Sequence, residues 1–120
     1  MRVRNFFAVA AVSSFVVCST PALAEGSANT FLEAIDNQSN ITLLILDGYT
    51  NGMDWMNTEL GAIGQPLIYC APTNLSITAD QNADILRKHV QANKWIGESP
   101  AGLALLEAYK ATFPCGETTQ

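Results

Sequence analysis

The chain has 120 residues, 48% of them apolar and 14% charged, with 11 acids against six Lys and Arg and a formal net charge of −5. That length holds one small domain and excludes a two-domain enzyme or a repeat array. The acidic balance excludes a nucleic-acid partner, because phosphate neutralisation needs clustered bases and only Arg87 and Lys88 stand together. An apolar fraction near half excludes a disordered tail.

Residues 1–24 read as a secretory signal peptide. Arg2 and Arg4 lead an apolar run over residues 6–17, followed by Pro21 and an Ala22-Leu23-Ala24 site. The run is shorter than the roughly 20 residues of a membrane span and carries Ser13 and Ser14 inside it. Lipidation of Cys18 is disfavoured, because Phe15, Val16 and Val17 supply no small residue before it. Cleavage after Ala24 leaves residues 25–120 as a single periplasmic domain with no membrane attachment, 11 acids against four bases, and a net charge of −7.

Two cysteines survive that cleavage, Cys70 and Cys115. An even count in a small exported domain points to a disulfide rather than two buried thiols. Such a bridge closes a 45-residue separation, which the chain-entropy account values at about 4 kcal/mol. Only His89 could join the pair as a metal ligand, too few for a zinc site. No cofactor is expected.

Four helices are expected in chain order. The first covers residues 27–36, with Ser27 as N-cap and Phe31, Leu32 and Ile35 on one face. The second covers residues 40–62. Ile41, Ile45, Gly48, Tyr49, Gly52, Met53, Met56, Leu60 and Ile63 recur at three- and four-residue spacing, which predicts the core face of a long helix. Residues 41–46 also suit a buried strand, since branched residues favour extended backbone. Gly48 and Gly52 each cost a helix about 1 kcal/mol relative to Ala, so another backbone is expected close against Gly48, Tyr49 and Gly52. Trp55 lies one position off this stripe and is expected at the edge of the core.

Gly61, Gly64 and Pro66 end the second helix, and residues 67–72 form an apolar connector carrying Cys70. The third helix opens at Thr78, whose spacing to Gln81 fits a capping box, with Asp80 and Asp84 near its positive end. Ile85, Leu86, His89 and Val90 form its inner stripe, with Arg87 and Lys88 outside. A turn over residues 93–97 leads to a fourth helix with Ser99 as N-cap, Pro100 at its first position, and Leu103, Leu106, Tyr109 and Phe113 on its apolar face. The expected fold is all-α, a small bundle of about four helices stapled by one disulfide.

No catalytic set stands out, and the chain does not read as an enzyme. His89 falls on an inner stripe, where a packed histidine is commoner than a general base. Asp47 and Asp54 are expected on the outer side of the second helix beside polar neighbours, and Asp80 and Asp84 serve as helix-start charge. The expected partner surface is the turn Lys94-Trp95-Ile96-Gly97-Glu98, because it carries an aromatic on a loop that could enter a cleft.

Taken together, Gly48-Tyr49-x-x-Gly52 on a long helix, Tyr69-Cys70-x-Pro72, a capped helix, Ser99-Pro100-Ala101 and a terminal Phe113-Pro114-Cys115 resemble the small periplasmic immunity proteins of the Rap/Tai type. These protect bacteria from peptidoglycan amidases delivered by type VI secretion. The resemblance spans residues 30–115, and its most specific part is the cysteine pair in two proline-containing contexts. It implies a helical fold with a bridge equivalent to Cys70–Cys115, a homodimer, and inhibition by occluding the active-site cleft of an amidase effector. This chain departs from it in having no cysteine near Gly48, so a second bridge found in some relatives is absent. A second reading, from composition, is a periplasmic acid-stress chaperone that exposes apolar surface when its carboxylates discharge. A lytic enzyme is a weaker third, for want of a nucleophile–base pair.

Overall fold

A computed structural model describes residues 26–116. The expected signal segment, Cys18 and the final residues lie outside the described residues. Four helices follow in order: α1 (Ala28–Asp36), α2 (Asn40–Ala62), α3 (Ala79–Ala92) and α4 (Ala101–Thr112), with a 3-10 turn (Lys94–Glu98) between the last two. Among the described residues the fold is all-α with one disulfide, as expected, and residues 41–46 belong to α2 rather than to a strand.

Local chemistry explains the helix ends. Ser27 and Ser39 accept the backbone N–H groups of Thr30 and Thr42, each at 3.3 Å, which caps α1 and α2. Gln38 turns the chain between them in the left-handed region, φ 63°. Gly64 does the same after α2 at φ 71°, where Gln65 N–H reaches the Leu60 carbonyl at 2.8 Å and closes a glycine-terminated cap. The Thr78–Gln81 capping box forms in both directions.

The start of α4 differs from expectation. Ser99 is not its N-cap; Pro100 holds that position without a side-chain bond. The reason is tertiary: residues 99–101 run extended beside residues 26–28, with Ala28 N–H donating to the Ser99 carbonyl at 2.9 Å and Ala101 N–H to the Gly26 carbonyl at 3.0 Å. This pairing ties the first turn of α1 to the entry of α4.

The core lies where α1, α2, α3 and α4 converge, built on Leu32, Leu46, Tyr69, Leu86, Ile96, Leu105 and Tyr109. Tyr69 and Tyr109 meet edge to face at 5.2 Å, and Tyr109 meets Phe113 at 5.5 Å. Two helices present faces that only partly match expectation. Tyr49 and Met53 of α2 and Leu106, Tyr109 and Phe113 at α4 do pack into or against the core, but the rest of each expected face does not. α4 buries Ala101, Ala104, Leu105, Ala108 and Tyr109, while Leu103 is 49% exposed; the small alanines let it lie close to α3. α2 buries Leu46 and Thr50, so the stripe of Ile41, Ile45, Gly48, Gly52 and Met56 faces outward. A Cβ added at Gly48 or Gly52 would meet nothing within 4 Å. The backbone expected against these glycines is not there in the single chain.

Cys70 and Cys115 are bridged, with Cα atoms 4.9 Å apart. The bridge joins the connector after α2 to the chain just past α4. Beside it Cys70 N–H donates to the Phe113 carbonyl at 2.8 Å.

Candidate partner-binding site

The expected partner surface forms a compact 3-10 turn rather than a free loop. Ile96 N–H donates to the Asn93 carbonyl at 2.9 Å and Ser99 N–H to the Ile96 carbonyl at 3.0 Å. A 3-10 turn has three residues per turn, so the side chains of a five-residue piece point in different directions, and the five residues divide between core and solvent. Lys94, Trp95 and Glu98 are exposed, Trp95 at 72%. Ile96 and Gly97 are buried, Ile96 at 2%. These two are a correction to the sequence reading: Ile96 is core, and Gly97 packs against α1, where an added Cβ would come within 2.5 Å of the Asn29 side chain. Asn29 in turn donates to Glu98 at 2.8 Å, so a rigid base carries the exposed indole.

A second concavity of about 500 Å³ lies between α2 and the connector. Asp47, Thr50, Asn51, Asp54 and Asn57 form one wall at helical spacing, and Leu67, Ala71, Pro72 and Leu75 form the other. Asp54 is therefore not on a bare outer side. Its carboxylate accepts the Tyr69 phenol at 2.6 Å. Asn57 clamps the connector backbone in both senses, donating to the Tyr69 carbonyl at 2.7 Å and accepting Ile68 N–H at 2.8 Å. Sequence reasoning missed Asn57, Tyr69 and Asn82. An apolar connector with a Tyr beside its cysteine was the available hint for Tyr69; the two asparagines gave none.

Burial, the bond to Asp54 and the charge of Asp54 all push the Tyr69 phenol upward from its ordinary value. Tyr109 is pushed up to about 12, mainly by burial, with a bond to Thr50 opposing and the charges of Asp54 and Asp47 adding. Its hydroxyl donates to the fully buried Asn82 carbonyl oxygen. The Asn82 amide nitrogen has no protein partner.

A third, shallower groove of about 440 Å³ is apolar, lined by Gly48, Gly52, Met53, Met56, Leu103 and Leu106. It runs along the outward stripe of α2. Trp55, expected at the core edge, is 76% exposed on the same helix.

Among the described residues no group of three or more His, Cys, Asp or Glu is placed to hold a metal ion, and no helix is long and apolar enough to cross a membrane. His89 is half-buried near the end of α3, its carbonyl accepting the Asn93 side chain at 3.3 Å. Asp84 does more than supply helix-start charge: with Asp36 it brackets Arg87, at 2.6 and 2.7 Å, linking α3 to α1. Compared with known proteins, the chain matches no family model, no curated sequence and no solved structure.

Proposed function

We propose that the protein is a periplasmic binding protein that neutralises a secreted peptidoglycan amidase by occluding its active-site cleft, acting without catalysis or cofactor. The observation that carries this reading is Trp95, an aromatic side chain held out in solvent by a turn whose neighbours Ile96 and Gly97 are sealed into the core. Large aromatics on rigid supports are the side chains that dominate interface energetics, because little conformational entropy is lost when they dock. The bridge between the cysteines in their proline contexts supports the likeness to Rap/Tai-type immunity proteins on which the choice of partner rests. The acidic balance favours a basic partner surface and speeds encounter at low salt.

The contact surface is now the exposed part of the turn, Lys94, Trp95 and Glu98, rather than all five of its residues. The acid-stress chaperone reading has less support, because it calls for apolar surface hidden until acid discharges the carboxylates, and the α2 stripe is exposed in the folded chain already.

The test is co-expression with secreted peptidoglycan amidases directed to the periplasm, followed by titration calorimetry with each purified amidase. The expected result is rescue of growth and a stoichiometric complex of about nanomolar affinity or tighter. Trp95→Ala is expected to weaken that complex by at least about 30-fold, the cost of a hot-spot aromatic. No rescue together with no binding removes the inhibitor reading; rescue with unchanged Trp95→Ala affinity moves the contact elsewhere.

A further inference from the structure

The cleft between α2 and the connector is acidic on one wall and uncharged on the other. Asp47, Asn51, Asp54 and Thr58 recur at four- and three-residue steps, so they form a row along one side of α2. At 1.5 Å of rise per residue, the two carboxylates of that row stand about 10 Å apart along the helix axis. The facing wall comes from the connector, residues 63–78, a stretch without a single charged residue. It offers Leu67, Ala71, Pro72 and Leu75 instead, and both leucines are exposed.

Among the described residues neither carboxylate has a cationic partner. The ion pairs occupy Asp36, Asp84 and Glu107, and no Lys, Arg or His lines the cleft. Asp54 accepts the neutral Tyr69 phenol at 2.6 Å, and Asp47 the neutral Asn51 amide at 3.3 Å. Like charges in a concave site with a low-dielectric wall focus the field and raise the local concentration of a cation. The volume, about 500 Å³, is that of a small-molecule site. The walls are also fixed in advance. The Asn57 clamp and the Cys70–Cys115 bridge pin the connector on both sides of Tyr69, so little ordering remains to oppose binding.

From this we infer that the cleft binds a linear aliphatic polyamine, one ammonium at Asp47, another at Asp54, and the methylenes between them on the connector wall. A single ammonium on a solvated carboxylate contributes little. Two on one chain act together, because seating the first presents the second at high effective concentration. The methylenes leave water against Leu67 and Leu75, which adds an apolar contribution that an inorganic cation lacks. Carboxylate spacing then sets selectivity, since a diamine too short to span the row gains only one pair. A basic peptide suits the cleft less well. Its backbone would bring hydrogen-bonding groups to a wall whose side chains supply no partners for them.

The site uses no part of the turn that carries Trp95 and is read without any hydrolase, so its failure is distinct from failure of the inhibitor reading. The test is titration calorimetry at low salt on the purified protein, expressed as the full chain. Spermidine and diaminooctane, whose outer nitrogens match the span when extended, are expected to bind one to one with a dissociation constant of about 50 µM or tighter. Diaminopropane, too short, and octylamine, with one ammonium, are each expected to bind at least about 30-fold more weakly. Asp47→Asn and Asp54→Asn should each weaken diaminooctane at least about 10-fold with circular dichroism unchanged. Glu33→Gln removes an equal charge from an exposed position on α1 and should change that affinity less than about 2-fold. Where Asp54→Asn disturbs the connector, Asp47→Asn, which leaves the Tyr69 bond in place, decides alone. No binding at about 5 mM diaminooctane overturns the proposal. So does octylamine binding as tightly as diaminooctane, or a Glu33→Gln loss equal to that of the cleft variants, which would mark diffuse attraction to an acidic surface. Binding of a lysine-rich peptide but of no diamine overturns it as well.

Discussion

The two longer connections between helices in this molecule are held by opposite means. The connector between α2 and α3, residues 63–78, has no regular structure. It is fastened by discrete anchors: the Cys70–Cys115 bridge, the Asn57 clamp and the buried Tyr69 ring. The connection between α3 and α4, residues 93–100, is half as long and has no covalent tie. It is fastened by continuity: Ile96 in the core, Gly97 flush against α1, and residues 99–101 paired with residues 26–28. A long segment that cannot form its own hydrogen-bond ladder must find partners one group at a time, whereas a short one shares the core of the helices it joins. The difference suits their surroundings. The anchored connector borders the polar cleft, and the sealed turn presents Trp95.

The largest effect expected is on the connector. Replacing both cysteines with Ala should lower unfolding free energy by about 4 kcal/mol, measured by urea denaturation. A much smaller loss would show that Tyr69 and Asn57 hold the connector without the bridge. Ile96→Ala, which empties a core site under the sealed turn, should cost about 3 kcal/mol in the same experiment. If it costs under about 1 kcal/mol, the turn is not sealed as described. Asn57→Ala removes both bonds to the connector backbone and should cost about 2 kcal/mol. Because it touches only the connector, hydrogen exchange at Ile68 and Cys70 should accelerate while exchange at Ile96 is unchanged.

Alkaline titration gives a smaller and graded effect. The Tyr109 phenol is raised from 10.0 to about 12 in the folded chain, so above pH 10 the unfolded chain loses its proton first. Its contribution to stability is complete below pH 10 and is lost as pH rises toward 12. Thermal midpoints should fall across that window, and Tyr109→Phe, though less stable at neutral pH for want of the bond to Asn82, should fall less steeply. Smallest of all, Trp95→Ala should change stability by less than about 0.5 kcal/mol, since the indole is outside the core.

How far the fold was legible in the chain depended on how local each signal was. The α2 bounds, the Ser27 cap, the Thr78–Gln81 box and the glycine stop at Gly64 all act within four residues, and each was readable as a motif. The candidate site was readable only in part. Trp95 was singled out by its chemistry, but its neighbours Ile96 and Gly97 were assigned to the same surface, because spacing cannot say which residues of a short turn point inward.

What the amino-acid sequence determined by itself was the helical content, where helices begin and end, and the pairing of the two cysteines that remain after residue 24. These follow from hydrogen-bond caps, backbone freedom at glycine and proline, and cysteine count. What only the tertiary structure decided was which part of the apolar surface of α2 and α4 is inside; the inner faces of α1 and α3 were already legible in Leu32 and Leu86 and their neighbours. α2 is apolar on two opposite sides, with Leu46 on one and Ile41, Ile45 and Met56 on the other. Periodicity marks both, and only the packing of α1, α3, α4 and Tyr69 against Leu46 and Thr50 leaves the glycine-notched side in water. The hydrophobic effect requires burial but not a particular direction, so the choice between two apolar faces falls to whichever side the neighbouring elements can fill.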